Sequence, residues 1–216
     1  MKQYLVVMAL AGLLASAPGP SSALMVGGSF VGTMDSGTDT SGVFGTPGAD
    51  LSGLTVLGSF SYDTDLFSSL VLGPTNTATG IAPGAISVNL SIGMSSFTFT
   101  DSATAIIYLD TAASQFTLTT GAADPSGSDT FSLDVFDILA PFIFSTELTQ
   151  GFSVIAPASS LGVFTINYVE PDAVASGIFS VNSLTVNAVP EPASAVLTLL
   201  GLGVLGLARG RRVGAR

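Results

Sequence analysis

The sequence contains no cysteine, histidine or tryptophan, and its five cationic residues lie only near the two ends. Without cysteine the chain has no disulfide bonds. Without histidine and cysteine it cannot build a Ser-His-Asp or Cys-His catalytic system. Histidine is also the side chain most often used for acid–base chemistry near neutral pH and for metal ligation. Catalytic chemistry in this chain is therefore limited to carboxylates, hydroxyls and tyrosine.

Positive charge is absent from the whole body of the chain, because no Lys or Arg lies between residues 3 and 208. All fifteen carboxylates lie in that stretch, so its formal charge is −15, against −10 for the complete chain. Such a surface repels nucleic acid, whose binding depends on basic side chains that neutralise phosphates. Repulsion between the carboxylates must be relieved by solvent, by salt or by a bound divalent cation.

The N-terminal residues have the pattern of a secretory signal peptide, with a basic start, an apolar run over residues 4–15 and small residues before a cleavage site. We place the cut for signal peptidase between Ala23 and Leu24, which makes residues 1–23 the signal peptide. A cut after Ala17 fits the same rule, but a proline would follow it directly. An uncleaved anchor is the alternative, although the apolar run is short for a membrane span.

The C-terminal residues contain three elements in a fixed order. These are Val189-Pro190-Glu191-Pro192, an apolar run from Ala193 to Ala208, and the cluster Arg209-Gly210-Arg211-Arg212. Their order and position resemble the PEP-CTERM sorting domain over residues 188–212. The resemblance implies that an exosortase, a membrane-embedded cysteine enzyme similar to a transpeptidase, cuts near the Pro-Glu-Pro motif. The protein is then released or transferred to the cell surface.

The apolar run before the arginine cluster predicts a transmembrane helix that holds the chain only temporarily. At 1.5 Å per residue the helix is about 24 Å long, which is shorter than the ~30 Å hydrocarbon core of a bilayer. Arg209, Arg211 and Arg212 should stay in the cytoplasm by the positive-inside rule, with the acidic body outside the inner membrane. A permanent tail anchor with a proline-containing stalk is the alternative.

The body between the two signals, residues 24–187, has the pattern of an all-β domain. Short runs rich in Val, Ile, Phe, Thr and Ser alternate with Gly, Pro, Asn and Asp. Predicted strands are Leu54–Tyr62, Ala85–Ile92, Ser96–Thr100, Thr104–Leu109, Gln115–Thr120, Thr130–Phe136, Phe142–Leu148, Val163–Val169 and Gly177–Val186. Their number and spacing predict an antiparallel β-sandwich, jelly-roll or immunoglobulin-like, with a β-barrel as the other option. Asp35–Gly53 and Gly73–Gly84 are predicted to be long surface loops.

Paired carboxylates are the only candidate chemical groups in this domain. The pairs are Asp63 with Asp65, Asp124 with Asp129, and Asp134 with Asp137. The first follows a strand, where Asp commonly caps a turn, and it also offers the oxygen ligands that Ca²⁺ takes, although the spacing of an EF-hand loop is missing. The second pair fits a hairpin loop. The third pair should point to opposite faces of a strand.

Composition and motifs together predict a protein that is not an enzyme and needs no cofactor, with Ca²⁺ as the one ion its carboxylates would suit. By the family resemblance, the expected role is structural, at the cell surface or in an extracellular matrix of exopolysaccharide. A glycan- or calcium-binding module is the alternative, and a carboxylate-based hydrolase is a third hypothesis.

Overall fold

The structure, a computed structural model, describes residues 25–67, 70–79, 82–100, 104–169 and 173–188. Within them the chain forms thirteen strands and a single helical turn, the 3₁₀ turn Thr64–Leu66. The strands are β1 (Met25–Asp39), β2 (Ala49–Asp50), β3 (Thr55–Asp63), β4 (Leu70–Leu72), β5 (Asn76–Thr79), β6 (Ile86–Ile92), β7 (Ser95–Thr100), β8 (Thr104–Asp110), β9 (Gln115–Asp124), β10 (Gly127–Phe136), β11 (Phe152–Ile155), β12 (Ser159–Tyr168) and β13 (Ala173–Ala188). These strands belong to one compact unit, Leu24–Val189.

All strands join one antiparallel sheet in the order β4-β5-β8-β9-β10-β12-β13-β1-β3-β6-β7, and β2 and β11 pair additionally with β1 and β13. The all-β, antiparallel prediction is confirmed. The hydrogen bonding joins the strands into one curled sheet, a half-barrel, and neither the jelly-roll nor the immunoglobulin-like sandwich is confirmed.

The sheet curls because its two long central strands bend. β1 and β13 pair from Val26 opposite Ala188 to Asp39 opposite Ala175, and their register shifts twice, between Val31 and Gly32 and between Met34 and Ser36. A β-bulge of this kind bends the strand and increases its local twist. One half of the sheet therefore faces the other across a shared core.

The core is dominated by phenylalanine side chains on the inner face of the curl. Six of them are at most 2% exposed, namely Phe30, Phe99, Phe116, Phe131, Phe164 and Phe179. Phe30 of β1 stacks on Phe179 of β13 at 5.6 Å and on Phe131 of β10 at 5.8 Å between ring centroids. The contact with Phe131 joins the two halves of the sheet, and aromatic burial of this kind is a main source of stability in a domain without disulfides.

Two reciprocal glycine–phenylalanine pairs occupy the centre of the sheet. Gly58 of β3 lies opposite Phe30 of β1, and two residues along the ladder Gly28 lies opposite Phe60. The same exchange joins β12 to β13, where Gly162 lies opposite Phe179 and Phe164 opposite Gly177. At Gly58, Gly28 and Gly162 the phenylalanine ring occupies the space that a Cβ of the glycine would fill, and at Gly177 the methyl group of Met34 shares that space with the Phe164 ring. Glycine in these strand interiors therefore makes room for the aromatic core.

Eight of the nine predicted strands are present, with ends shifted by a few residues, but the prediction of a strand over Phe142–Leu148 is wrong. Phe142 and Ile143 are both buried, so the alternation of a strand is broken. Their backbone N–H groups donate to the hydroxyl Oγ of Ser114 at 2.6 and 3.0 Å instead of to a neighbouring strand. The hydroxyl of Tyr62 holds the other end of this segment by donating to the carbonyl of Leu148 at 2.6 Å.

The two predicted surface loops also contain strands. β1 continues through Asp39, and β2 lies inside the predicted loop Asp35–Gly53. β5 lies inside the predicted loop Gly73–Gly84, and its Thr77 and Thr79 are buried. In both segments, pairing with distant strands overrides a composition that is locally typical of loops.

Candidate functional site

The predicted processing residues lie outside the described part of the chain. They are Ala23 and Leu24 at the signal peptide, Val189, Pro190, Glu191 and Pro192 of the sorting motif, and Arg209, Arg211 and Arg212 of the membrane stop. Among the described residues, no helix is both long enough and apolar enough to span a membrane. The site that the structure does describe is therefore on the β domain itself.

The carboxylate of Asp63 caps a turn. Its Oδ1 accepts a hydrogen bond of 3.0 Å from the backbone N–H of Asp65, and this bond caps the N-terminus of the 3₁₀ turn. The Asp65 residue is exposed. Among the described side chains, no three Asp or Glu residues gather in a way that could hold a metal ion. Calcium binding by Asp63 and Asp65 stays a prediction.

Asp129 and its partner Asp124 flank a hairpin, as predicted. β9 ends at Asp124 and β10 begins at Gly127, which leaves a two-residue connection. Asp129 lies inside β10, is buried, and accepts hydrogen bonds from the Tyr168 hydroxyl at 2.8 Å and from the backbone N–H of Ala122 at 3.2 Å. Through these hydrogen bonds the carboxylate connects β10 to β12 and β9.

Asp134 and Asp137 face in opposite directions, as predicted, but β10 ends at Phe136, so Asp137 does not lie on the strand as expected. Asp134 lies on the outer face, where it accepts hydrogen bonds of 2.8 Å from the Thr117 hydroxyl and from the Gln115 amide. Asp137 is buried and accepts three backbone N–H groups, from Ala140 at 2.8 Å, Leu139 at 3.0 Å and Ala158 at 3.2 Å. The two carboxylates therefore do not form a catalytic pair with each other.

Three described carboxylates, Asp50, Asp110 and Asp137, have pKa values held below the usual range, and for Asp50 the cause is hydrogen bonds from the hydroxyl and the backbone N–H of Ser52. For Asp137 the N–H of Ala140 contributes most to the lowered pKa; burial opposes it, and the remaining two N–H groups lower the pKa further. For Asp110, burial raises the pKa, but hydrogen bonds from the N–H of Ala113, the Tyr108 hydroxyl and the N–H of Ala112 together outweigh it. The fold therefore stabilises the ionised form of each carboxylate relative to the protonated form.

We expect the melting temperature to be nearly constant from pH 7 to about pH 5 and to fall at lower pH. A group whose pKa is depressed by folding contributes stability above its unfolded pKa, about 4, and that stability is lost as the pH falls through its folded pKa. Repulsion in the cation-free body acts in the opposite sense, because it weakens as carboxylates become protonated. Both effects change only where carboxylates titrate, below about pH 5, so stability should be nearly constant from pH 7 to about pH 5 and fall below about pH 4 as the hydrogen-bonded carboxylates are protonated.

Differential scanning calorimetry in low salt and in 1 M salt would test this profile. Salt at 1 M shortens the Debye length to about 3 Å, so it should screen the repulsion, raise the melting temperature at pH 7 and leave the fall at lower pH. An Asp137→Asn variant should lose less stability than the parent between pH 5 and pH 3. An equal melting temperature at pH 7 in low salt and in 1 M salt would contradict net repulsion.

An open groove of about 430 Å³ crosses the outer face of the sheet over β12, β13 and β1. It begins where β1 resumes regular pairing after its second bulge, with Ser36 opposite Ile178. Two rows of side chains line it, and they are Val163, Ile178 and Ser36 in one row and Thr165, Ser176 and Thr38 in the other. We call these six residues the outer groove.

The outer groove offers hydroxyl groups around two aliphatic side chains and contains no charged residue. Ile178 is 41% exposed, which makes it available for contact with an apolar surface of a ligand. Hydroxyls that both donate and accept, placed beside aliphatic carbon, suit a neutral polyhydroxyl ligand better than an anion, for which the body has no cation.

Sequence analysis did not identify the outer groove. Ser36 and Thr38 lie in the segment predicted to be a loop, whereas Ser176 and Ile178 lie near the C-terminal end of the domain. The sequence offers one signal, the period of two that places Thr165 and Asn167, and likewise Ser176 and Ile178, on the outer face of their strands. Only the register between β1 and β13 shows that these residues lie side by side.

The fold and its surface define an acidic, all-β domain followed by a C-terminal signal segment. That segment, residues 188–212, matches the family model of the PEP-CTERM protein-sorting motif. The match confirms the resemblance inferred from the Pro-Glu-Pro motif, the apolar run and the arginine cluster. The chain therefore carries a PEP-CTERM sorting motif, which marks it as an exported substrate of an exosortase. Neither the comparison with curated proteins nor that with solved structures produced a match.

Proposed function

We propose that this exosortase substrate is a structural protein of the cell surface or extracellular matrix, without enzymatic activity, that associates with exopolysaccharide. The observation that carries the proposal is the outer groove on β12, β13 and β1, which presents hydroxyl side chains and no charged residue. Delivery outside the cell by the sorting motif supports this role.

The outward polar side chains hold one another in place across neighbouring strands. The Asn89 amide donates to the Thr98 hydroxyl at 3.0 Å, and Thr119 and Ser132 share a hydrogen bond of 3.1 Å. Cross-strand pairs of this kind stabilise the sheet and restrict the rotamers of both partners. A pre-ordered row of hydroxyls loses less entropy when it binds a polysaccharide chain.

The roles of the described carboxylates support the non-enzymatic part of the proposal. Asp137 and Asp129 receive hydrogen bonds that fix loops and strands, and Asp63 caps a turn. A glycosidase instead needs two carboxylates that converge on the sugar, one of them with a raised pKa. Three described carboxylates, Asp50, Asp110 and Asp137, have lowered pKa values instead.

A glycan-binding module is the second candidate, and the outer groove favours it. A structural matrix protein would contact polysaccharide weakly over its whole hydroxyl face. A binding module would hold one saccharide segment in the groove with saturable affinity. Calcium at Asp63 and Asp65 belongs to this second proposal, and binding should therefore be measured with and without Ca²⁺.

Affinity electrophoresis of residues 24–189 in gels containing the host's exopolysaccharide tests both functions. We expect the domain to be retarded by the polysaccharide. If the groove is the binding site, the triple variant Thr38→Ala, Thr165→Ala and Ser176→Ala should weaken binding at least about tenfold, because each lost hydrogen bond contributes about 1 kcal/mol.

The matched control is Ser59→Ala, Ser61→Ala and Ser87→Ala, three outward hydroxyls on β3 and β6. Equal, small losses in both triple variants would favour the distributed contacts of a matrix protein. Absence of retardation in the parent would contradict association with exopolysaccharide, and release of reducing sugar from the polysaccharide would contradict a non-enzymatic role.

A further inference from the structure

Strand β7 forms one end of the sheet as the structure describes it. It pairs with β6 in a regular ladder, from Ile92 opposite Ser95 to Ser87 opposite Thr100, and no other described strand is hydrogen-bonded to it, although β9 and β10 come close to it across the core. A strand in this position presents a row of backbone N–H and C=O groups to its open side.

The hairpin turn determines which backbone groups face the open edge. Only Gly93 and Met94 connect β6 to β7, and Gly93 has φ +67°, as the first central residue of a type II′ turn requires. In a hairpin with a two-residue loop the flanking residues Ile92 and Ser95 form a hydrogen-bonded pair, and the pairs then alternate. The backbone groups of Ser96, Thr98 and Thr100 therefore point away from β6, toward the open edge.

This edge lacks the features that usually prevent strands from pairing between molecules. Natural sheets protect an edge with Lys or other charges, with proline or with a bulge. β7 contains none of these residues, and its register with β6 has no shift. No charged residue lies anywhere between Asp65 and Asp101, although the body has a formal charge of −15. The acidic residues are thus excluded from the segment that forms the edge.

We propose that β7 is a self-association edge, at which β7 of a second copy of this chain adds to the sheet in antiparallel orientation. The charge distribution favours a second copy of this chain over a basic partner. Two copies repel each other through their acidic surfaces, and a basic partner would be attracted to those surfaces instead of to an uncharged strand. The uncharged edge is where two copies can meet without opposing carboxylates.

The geometry of two antiparallel β7 strands is self-complementary. A two-fold axis at Thr98 places the free N–H of each Thr98 opposite the free C=O of the other, with Ser96 of one copy opposite Thr100 of its partner. Met94 is fully exposed at the adjoining turn and Phe97 is half-buried, so both supply apolar contact near the new ladder. The interaction needs neither polysaccharide nor metal, and it is independent of the proposed function.

Sedimentation velocity of residues 24–189 over a range of concentrations tests the pairing, with Thr98→Pro as the disrupting variant. Proline removes the N–H that the partner strand needs, while a proline is tolerated on an edge strand. We expect Thr98→Pro to weaken dimerisation at least about tenfold, since each copy loses one interface hydrogen bond. The control Thr98→Val loses the same hydroxyl contact with Asn89 but keeps the N–H, and it should dimerise like the parent.

Disulfide trapping gives a second test that does not depend on the stability of the proline variant. Because the chain contains no cysteine, a single Thr98→Cys substitution introduces one thiol per molecule. Directly opposed residues in such a pair have Cα atoms about 5.5 Å apart, within the range of a disulfide. Rapid oxidation to a dimer is expected, whereas Ser59→Cys on the outer face of β3 should stay monomeric. A parent that is monomeric at every concentration, or equal trapping of both cysteine variants, would overturn the proposal.

Discussion

A single methyl group added at Gly58 should lower the free energy of unfolding by about 3 kcal/mol, or prevent folding. A Cβ built on Gly58 would lie 2.0 Å from Cζ of Phe30. The Phe30 ring cannot move aside, because it is stacked on Phe131 at 5.8 Å and on Phe179 at 5.6 Å. Urea denaturation followed by circular dichroism would measure the loss for Gly58→Ala.

Gly45→Ala is the matched control for this prediction. No atom lies within 4 Å of a Cβ built on Gly45, so this substitution should leave stability nearly unchanged. Adding Phe30→Leu to Gly58→Ala should recover part of the loss, and the resulting coupling energy should exceed about 0.5 kcal/mol because the residues are in contact. Equal stability of Gly58→Ala and Gly45→Ala would show that the Phe30 ring is not held as the structure describes.

The same glycines show which parts of the fold could be predicted from sequence. Strands whose own residues alternate, such as Ser96–Thr100 and Gln115–Thr120, were identified because the period of two is a local signal. β1 was missed, since its glycines, serines and threonines are typical of loops when they are considered alone. Gly28 belongs in that strand only because Phe60 of another strand fills the space above it.

The candidate sites differ in the same way. The sorting motif could be recognised from sequence because its three elements follow one another along the chain and need no folding to be read. The outer groove could not, because Thr38 and Ser176 meet only through the pairing of β1 with β13. The wrong prediction of a strand over Phe142–Leu148 has a related cause. The backbone N–H groups of Phe142 and Ile143 donate to the hydroxyl of Ser114, a buried residue in a distant turn, and not to a neighbouring strand.

Asp39→Ala should be the most damaging substitution of a carboxylate, with a loss of at least about 3 kcal/mol. Asp39 is completely buried at the end of β1, and its oxygens accept three backbone N–H groups in the following loop. These come from Val43 at 2.7 Å, Phe44 at 2.8 Å and Gly42 at 3.0 Å. Alanine leaves these donors without an acceptor, and an unsatisfied buried donor costs about 1–3 kcal/mol.

The loss should extend beyond the loop, because Phe44 packs edge-on against Phe164 at 5.4 Å between ring centroids. Thr38, which precedes Asp39, lines the outer groove, so any groove-dependent binding of polysaccharide should fall together with stability. Asp39→Asn keeps one acceptor oxygen and should lie between the parent and Asp39→Ala. Asp50→Ala, on the strand paired with Asp39's neighbour, removes an exposed carboxylate and is the control. If Asp39→Ala unfolds at the same urea concentration as Asp50→Ala, the loop after β1 does not depend on the Asp39 carboxylate.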